Sequence, residues 1–454
     1  MNSMPNGCRV LVAIACMVGW GAACGGTPPP AHPNVLLLTL DATRADALGC
    51  YGSEVADTPN LDALAGESLL FREAVASAPY TGPAHASILT GLHPPQHGLR
   101  DYLAQALPQS ADTLAERFRE AGYGTAAFVS AYVLAPRYGL GQGFDVYSCQ
   151  DWRPETAPPG EAPRRLAKLF FQRRADNTVS EALEWLRARD ASRPFFAWLH
   201  FYDPHAPFTP PREYRRPDPP DRELDPVERQ RRLYYDEVTF MDAEIGRLLA
   251  ALDEMGIYES LVVAVVADHG ELLGHYGRRL RGHSPELVEA TLRIPLLLRA
   301  PGRAQPGEVE AQVRGLDLFP TLLEAAGLDV PPGIEGRSLF QAAGEDEPRP
   351  AYSETFYEHY PKRAGEGEEL VSVRLGGFKL VLRPGRRELF DLEADPGERD
   401  NLYAEHPERV ERLLRELRGL AVRWPAERRS ATLELSEEET RNHLERLRAL
   451  GYVE

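Results

Sequence analysis

The chain has 454 residues, 43% apolar and 26% charged, and 51 Lys and Arg against 68 Asp and Glu give a formal net charge of −17. This composition is ordinary for a globular protein and excludes a disordered chain, a collagen and a coiled-coil rod. The acidic balance lacks the basic excess of a nucleic-acid binder, and the length allows roughly two to four domains.

Residues 1–33 read as a targeting segment and tether. Arg9 is the only charged residue before Asp41. After it, Leu11 to Trp20 form an apolar run of signal-peptide length, too short to span a bilayer, which takes about 20 residues. Gly21-Ala22-Ala23 then precede Cys24, as at a bacterial lipoprotein cleavage site, although Gly21 replaces the usual Leu. The expectation is an exported, membrane-anchored lipoprotein with a lipid anchor at Cys24. Plain secretion and a retained anchor are the alternatives. Beyond this segment only Cys50 and Cys149 remain, and there is no CxxC or Cys/His cluster. A structural zinc site is not expected, and the two cysteines read as buried free thiols rather than a disulfide.

NVLLLTLD (34–41) is a continuous apolar run ending in an acid, which suits a buried parallel strand. A helix is expected over TPNLDALAGE, capped by Thr58, and another over PAHASILTG (83–91). DTLAERFREAGYGTAAFVS reads as a helix, a stop at Gly122 and a strand. Trp152 to Pro163 and Pro204 to Pro226 are Pro-rich loops expected to line a site mouth. Between them, NTVSEALEWLRAR is a helix and PFFAWLHFYD a buried strand. Helix EVTFMDAEIGRLLAALDEMG precedes strand SLVVAVVADHG, then strand RIPLLLRAP and a helix capped by Asp317.

The alternation predicts an α/β fold: a large, mostly parallel sheet flanked by helices, spanning residues 34–345. From Pro348 the texture changes to short alternating strands joined by Gly-Gly and Pro-Gly turns, then a helix. Residues 346–424 are expected to form a small antiparallel sheet plus helix, and 425–454 a helical tail.

Three strand ends carry hard polar groups: Asp41, Asp203 with His205, and Asp268 with His269. Ligands in open α/β sheets gather at the carboxyl ends of strands. Carboxylates with imidazoles suit a divalent cation of intermediate hardness, Zn²⁺ or Mn²⁺. Thr81 sits on a turn directly before a helix, where backbone N–H groups favour an anion. It is either a nucleophile or simply the cap of that helix. His200 reads as a core or supporting histidine, and Arg44 and Asp46 as a local pair.

The segments VLLLTLDATRADALGCYG, APYTGPAHASILTG, HFYDPHAPF, VVADHGE and RGHSPELVEATLRIPLLLRAPG, in this order, resemble the sulfatase family of the alkaline-phosphatase-like superfamily. The resemblance runs from Asn34 to about Trp424. It implies that fold, a divalent metal, and chemistry on sulfate or phosphate esters. Residue by residue, Asp41, Asp268 and His269 match metal-ligand positions, and Thr81 matches the Cys or Ser that sulfatases convert to formylglycine. His205 matches a histidine that contacts the ester or assists the leaving group. His283 stands near a position held by Lys or His, and His85 where the sulfatase signature has Arg.

The departures are informative. Thr81-Gly82-Pro83-Ala84-His85 replaces Cys/Ser-x-Pro-x-Arg, and threonine would oxidise to a ketone, so formylglycine is not expected. Asp41-Ala42 replaces an Asp-Asp pair, removing one Ca²⁺ ligand. Asp41, Thr81, Asp268 and His269 together resemble threonine-nucleophile relatives that form a phospho-threonine on Zn²⁺ or Mn²⁺. The expected function is hydrolysis of a sulfate or phosphate ester on a small molecule or polysaccharide outside the cytoplasm. Catalysis falls to Thr81, His205, His283 and His85, and the metal to Asp41, Thr81, Asp268 and His269, with Zn²⁺ or Mn²⁺ favoured over Ca²⁺. The alternatives are a phosphoryl or phospho-head-group transferase, a phosphodiesterase or phosphonate hydrolase, and a non-catalytic binder on a decayed fold.

Overall fold

The computed structural model describes residues 32–100, 105–149, 173–220, 222–274, 286–342, 348–355, 370–423, 431–432 and 441. Cys24, His283, the loop Trp152 to Pro163 and all of the tail but residues 431–432 and 441 lie outside the described residues.

The eight strands of the main sheet are β1 (Val35–Leu40), β2 (Leu69–Phe71), β3 (Gly124–Val129), β4 (Val146–Cys149), β5 (Phe195–Phe201), β6 (Val262–Ala267), β7 (Leu296–Arg299) and β8 (Gly307–Val309). Their order is β8-β2-β7-β6-β1-β5-β3-β4. Only β7 runs against its neighbours. All six residues of β1 are buried, as a strand covered on both faces requires. The helices include α1 (Pro59–Gly66), α2 (Thr81–Thr90), α3 (Leu114–Glu120), α4 (Ala175–Ala188), α5 (Pro226–Glu254) and α6 (Leu318–Ala325).

Register sets up the site. Leu40 pairs with Phe201 of β5 on one side and with Ala267 of β6 on the other. The carboxyl ends of three central strands are therefore level, and Asp41 and Asp268 leave them side by side.

Two details differ from the sequence reading. Helix α5 begins at Pro226, well before Glu237, because Asp225 caps it and Glu228 closes a capping box with Pro at the first turn. Asp317 holds the N-cap position of α6 as expected, but its carboxylate makes no capping bond and instead takes Arg314 at 2.7 Å and Arg349 at 3.4 Å. Cys50 and Cys149 form no disulfide, and each is half-buried.

Strands β9 (Ala351–Thr355), β10 (Leu370–Leu375), β11 (Phe378–Arg383) and β12 (Arg386–Asp391) form an antiparallel sheet in chain order. Gly376, at φ +59°, turns the β10–β11 hairpin as the Gly-Gly pair suggested. Helix α7 (Pro407–Ala421) packs Val410 and Leu413 on Val373, Leu380 and Leu389 of this sheet.

Candidate active site

Asp41, Thr81, His85, His200, Asp268 and His269 are all buried at one end of β1, β5 and β6. Each arrives there for a local reason. Asp41 and Asp268 follow the last residues of their strands. His269 is followed by Gly270, where a Cβ would stand 2.1 Å from the Ala290 carbonyl oxygen; only glycine allows that approach. Thr81 opens α2, which has all ten residues buried. The helix stops at Gly91, at φ +67° and tight against Phe319.

Thr81 is not the cap of α2: Tyr80 holds that position and no side chain caps the helix. The Thr81 hydroxyl instead lies 3.4 Å from His269 Nε2. His269 Nδ1 is 2.9 Å from the Gly270 carbonyl, which can only accept, so Nδ1 carries the proton and Nε2 presents a lone pair. That lone pair is 3.7 Å from Asp41 Oδ1 and 3.5 Å from Asp268 Oδ2. Asp268 Oδ1 accepts from the backbone N–H of His269 at 2.7 Å and of Ala42 at 3.2 Å, which leaves Oδ2 facing the cluster. Ala42 reaches that bond from φ +50°, a left-handed conformation uncommon for alanine.

Both oxygens of Asp41, and Oδ2 of Asp268, have no hydrogen-bond partner among the described residues. Burial, then repulsion from Asp268 and Glu271, pushes the Asp41 carboxyl well above the ordinary carboxylate range. Burial chiefly raises Asp268 to about 6 and lowers His269 to about 4. One ligand atom each from Asp41, Asp268 and His269 lies within 4.8 Å of the others. Buried carboxylates without partners, beside a neutral imidazole lone pair, are costly unless a cation joins them. The donor set therefore fits a divalent cation, and its mix of oxygen and nitrogen suits Zn²⁺ or Mn²⁺.

The remaining site residues take different places. His85 and His200 pack edge to face, with ring centroids 4.9 Å apart. His200 Nδ1 accepts from the Ser130 N–H at 3.3 Å, so its Nε2 carries a proton 3.4 Å from Asp41 Oδ2. His85 has both nitrogens engaged, Nδ1 with the Thr81 carbonyl at 2.7 Å and Nε2 with Thr39 Oγ1 at 3.0 Å. Its ring thus supports Thr81 from below rather than facing an ester. His205 lies beyond β5, 4% exposed, with its ring 4.4 Å from that of Tyr202. Asp203 accepts the first N–H of α4, from Ala175, at 2.9 Å.

Three residues here had escaped notice in the sequence: Thr39, Trp198 and Glu271. Thr39 and His200 are cross-strand partners, so Thr39 and Asp41 share a sheet face with Trp198 and His200. The signal was the period of two, T-x-D in one strand and W-x-H in the other. Glu271 is buried, with Oε2 unpartnered among the described residues, and burial raises it to about 7.

Residues 33–328 match the sulfatase family, and residues 283–422 match the family described as N-sulphoglucosamine sulphohydrolase, C-terminal. An arylsulfatase of Clostridium perfringens is 27% identical over 465 residues, covering 85% of this chain and 95% of that protein. An ulvan-active sulfatase of Formosa agariphila is 29% identical, covering 82% and 77%. The solved phosphonate monoester hydrolase of Agrobacterium radiobacter shares the fold, with a TM-score of 0.71 at 23% identity over 90% of this chain and 99% of that one. The chain belongs to the sulfatase family of the alkaline-phosphatase-like superfamily.

Proposed function

We propose that this protein is an exported, metal-dependent hydrolase of sulfate or phosphate esters in which Thr81 is the nucleophile. The observation that carries the reading is the convergence of Asp41, Asp268, His269 Nε2 and Thr81 Oγ1 on one buried point at the carboxyl ends of adjacent strands. Asp41, Asp268 and His269 would hold a divalent cation, which would supply Lewis acidity and lower the pKa of a neighbouring hydroxyl. Thr81 Oγ1 attacks sulfur or phosphorus, and its proton passes to solvent. The bond to the leaving oxygen breaks, and His205 protonates that oxygen. Water then cleaves the ester formed on Thr81, which regains its hydroxyl as sulfate or phosphate departs. Formylglycine has no place in this route, because threonine would oxidise to a ketone.

The ester is carried on a small molecule or a polysaccharide, in keeping with relatives named arylsulfatase and ulvan-active sulfatase. Lipidation at Cys24 would hold the enzyme at a membrane outside the cytoplasm; mass spectrometry of the mature N-terminus tests this. A second reading, phosphoryl transfer or phosphodiester hydrolysis through a phospho-threonine, is favoured by one observation: the hydroxyl beside His269 belongs to threonine.

The test compares p-nitrophenyl sulfate, p-nitrophenyl phosphate and bis-p-nitrophenyl phosphate with Zn²⁺, Mn²⁺ or Ca²⁺. The sulfate ester turning over fastest supports the first reading, and the diester the second. Thr81→Ala should lower kcat by about a thousandfold or more, the scale on which a lost nucleophile is felt. It should leave most of the bound metal in place. Retained turnover in that variant would overturn the nucleophile assignment.

A further inference from the structure

We propose that Thr39 and Trp198 are positioning residues. Through His85 they fix the geometry of both Thr81 and Asp268. The proposal rests on the reading of Asp268 as a cation ligand.

The hydrogen bonds form a chain whose direction is set at both ends. Trp198 Nε1 lies 2.9 Å from Thr39 Oγ1, and an indole nitrogen can only donate. Thr39 Oγ1 therefore accepts from Trp198 and keeps its own proton for the next contact, His85 Nε2 at 3.0 Å. At the far end, His85 Nδ1 lies 2.7 Å from the Thr81 carbonyl oxygen, which can only accept. Nδ1 carries the proton there, and Nε2 must be the acceptor. The sense of transfer is Trp198 to Thr39 to His85 to Thr81, and no link can be reversed without placing two donors or two lone pairs face to face.

Two consequences follow at the reacting end. The Thr81 carbonyl receives an N–H from a side chain one helical turn along α2, which ties down the backbone that aims the hydroxyl. The same Nδ1–H stands 3.5 Å from Asp268 Oδ2, the oxygen turned toward His269. The other tautomer of His85 would aim a lone pair at both the Thr81 carbonyl and the Asp268 carboxylate. The Thr81 carbonyl disfavours this, and Thr39 reinforces it by offering Nε2 a proton. Trp198 helps to hold Thr39 in place, because the indole N–H takes one of the two lone pairs on the hydroxyl oxygen. The Trp198 ring also lies against His85, with centroids 5.4 Å apart. All three side chains are buried, so water does not substitute for any link.

Thr39→Val keeps the shape and removes both bonds of the hydroxyl. Zn²⁺ and Mn²⁺ affinity, measured by competition with a chromophoric chelator, should fall about 10–100-fold, the usual effect of losing an outer support of a metal ligand. With p-nitrophenyl phosphate or p-nitrophenyl sulfate, kcat should fall in step while KM changes little. Thr39→Ser restores the hydroxyl and should recover most of both. Trp198→Phe removes only the indole donor and should give a smaller loss of the same kind. It carries the test if the valine variant fails to fold. Nitrogen-15 spectra of histidine-labelled protein should show His85 protonated at Nδ1 in the unsubstituted chain and a mixture of tautomers in Thr39→Val. Wild-type affinity and kcat in folded Thr39→Val, or His85 protonated at Nε2 in the unsubstituted protein, would overturn the proposal. If the unsubstituted protein binds neither cation, the reading of Asp268 as a ligand fails instead, and the tautomer measurement still decides the chain of bonds.

Discussion

Two regions of this molecule bury several carboxylates each, and they treat them in opposite ways. At the seam with the C-terminal sheet, Glu289 meets Lys379 at 2.9 Å and Arg374 at 2.8 Å. Lys379 also meets Glu398 at 2.5 Å, and Arg374 pairs with Glu73. Burial pushes the Glu289 carboxyl up, but Lys379 and Arg374 more than offset it and hold it at about 2. At the carboxyl ends of β1 and β6, no lysine or arginine among the described residues pairs with Asp41 or Asp268, and both carboxyls are raised. The seam carries its own counter-charge, although burial still raises the Glu398 carboxyl. The cluster around Asp41 has its acids and imidazole arranged but leaves the positive charge to come from outside. Buried acids of the first kind fasten two parts of a protein together; those of the second kind mark a place where something binds.

Three measurements bear on this contrast. The largest effect is expected from Asp268→Asn, which should bring metal content close to zero and lower turnover more than ~100-fold, beyond the loss of an outer contact. Unchanged metal content by elemental analysis would mean that the ligand set is wrong. Next, Lys379→Met leaves Glu398 without its cation and Glu289 with only Arg374. Breaking a buried pair from one side should cost about 3–5 kcal/mol of stability in denaturant unfolding. The folded fraction should keep its metal affinity, and a lost affinity would show that the two regions are not separate.

The smallest effect has the opposite sign. Asp41→Asn removes a buried charge that no lysine or arginine among the described residues pairs with, so the metal-free variant should be more stable than the metal-free parent by about 1–3 kcal/mol at pH 7.5. The folded carboxyl of Asp41 titrates above its unfolded value, so its penalty is full at high pH, shrinks below the raised value and is gone below the unfolded one. The advantage of the variant should therefore shrink toward pH 5. Added Zn²⁺ should stabilise the parent and not the variant. A parent more stable than the variant without metal would break the comparison.

The seam and the site also differ in how far each was legible in the sequence. Asp41, Asp268 and His269 stand out because each ends a continuous apolar run, where a hard polar group has no packing reason to be. Thr81 was ambiguous between a cap and a nucleophile, and the local sequence carries no sign of the Tyr80 position that decides it. Thr39 and Trp198 were hidden for another reason. A polar residue inside a buried strand gains meaning only when its neighbour across the sheet is known. The pairing of Thr39 with His200 joins segments about 160 residues apart. Helix α5 was shortened in the reading because its first turns are polar, although Asp225, Pro226 and Glu228 signalled its start. The alternation of strands and helices, and the change to a small antiparallel sheet after Pro348, were plain from pattern alone.

The left-handed turn at Ala42 bears on the history the site can have. Aspartate and asparagine adopt that conformation more readily than alanine. The main chain thus keeps a shape better suited to an acid at a position that now holds a methyl group. An aspartate there would suit the backbone, but Ala42 is fully buried, so the added carboxylate would need room and a cation to partner it.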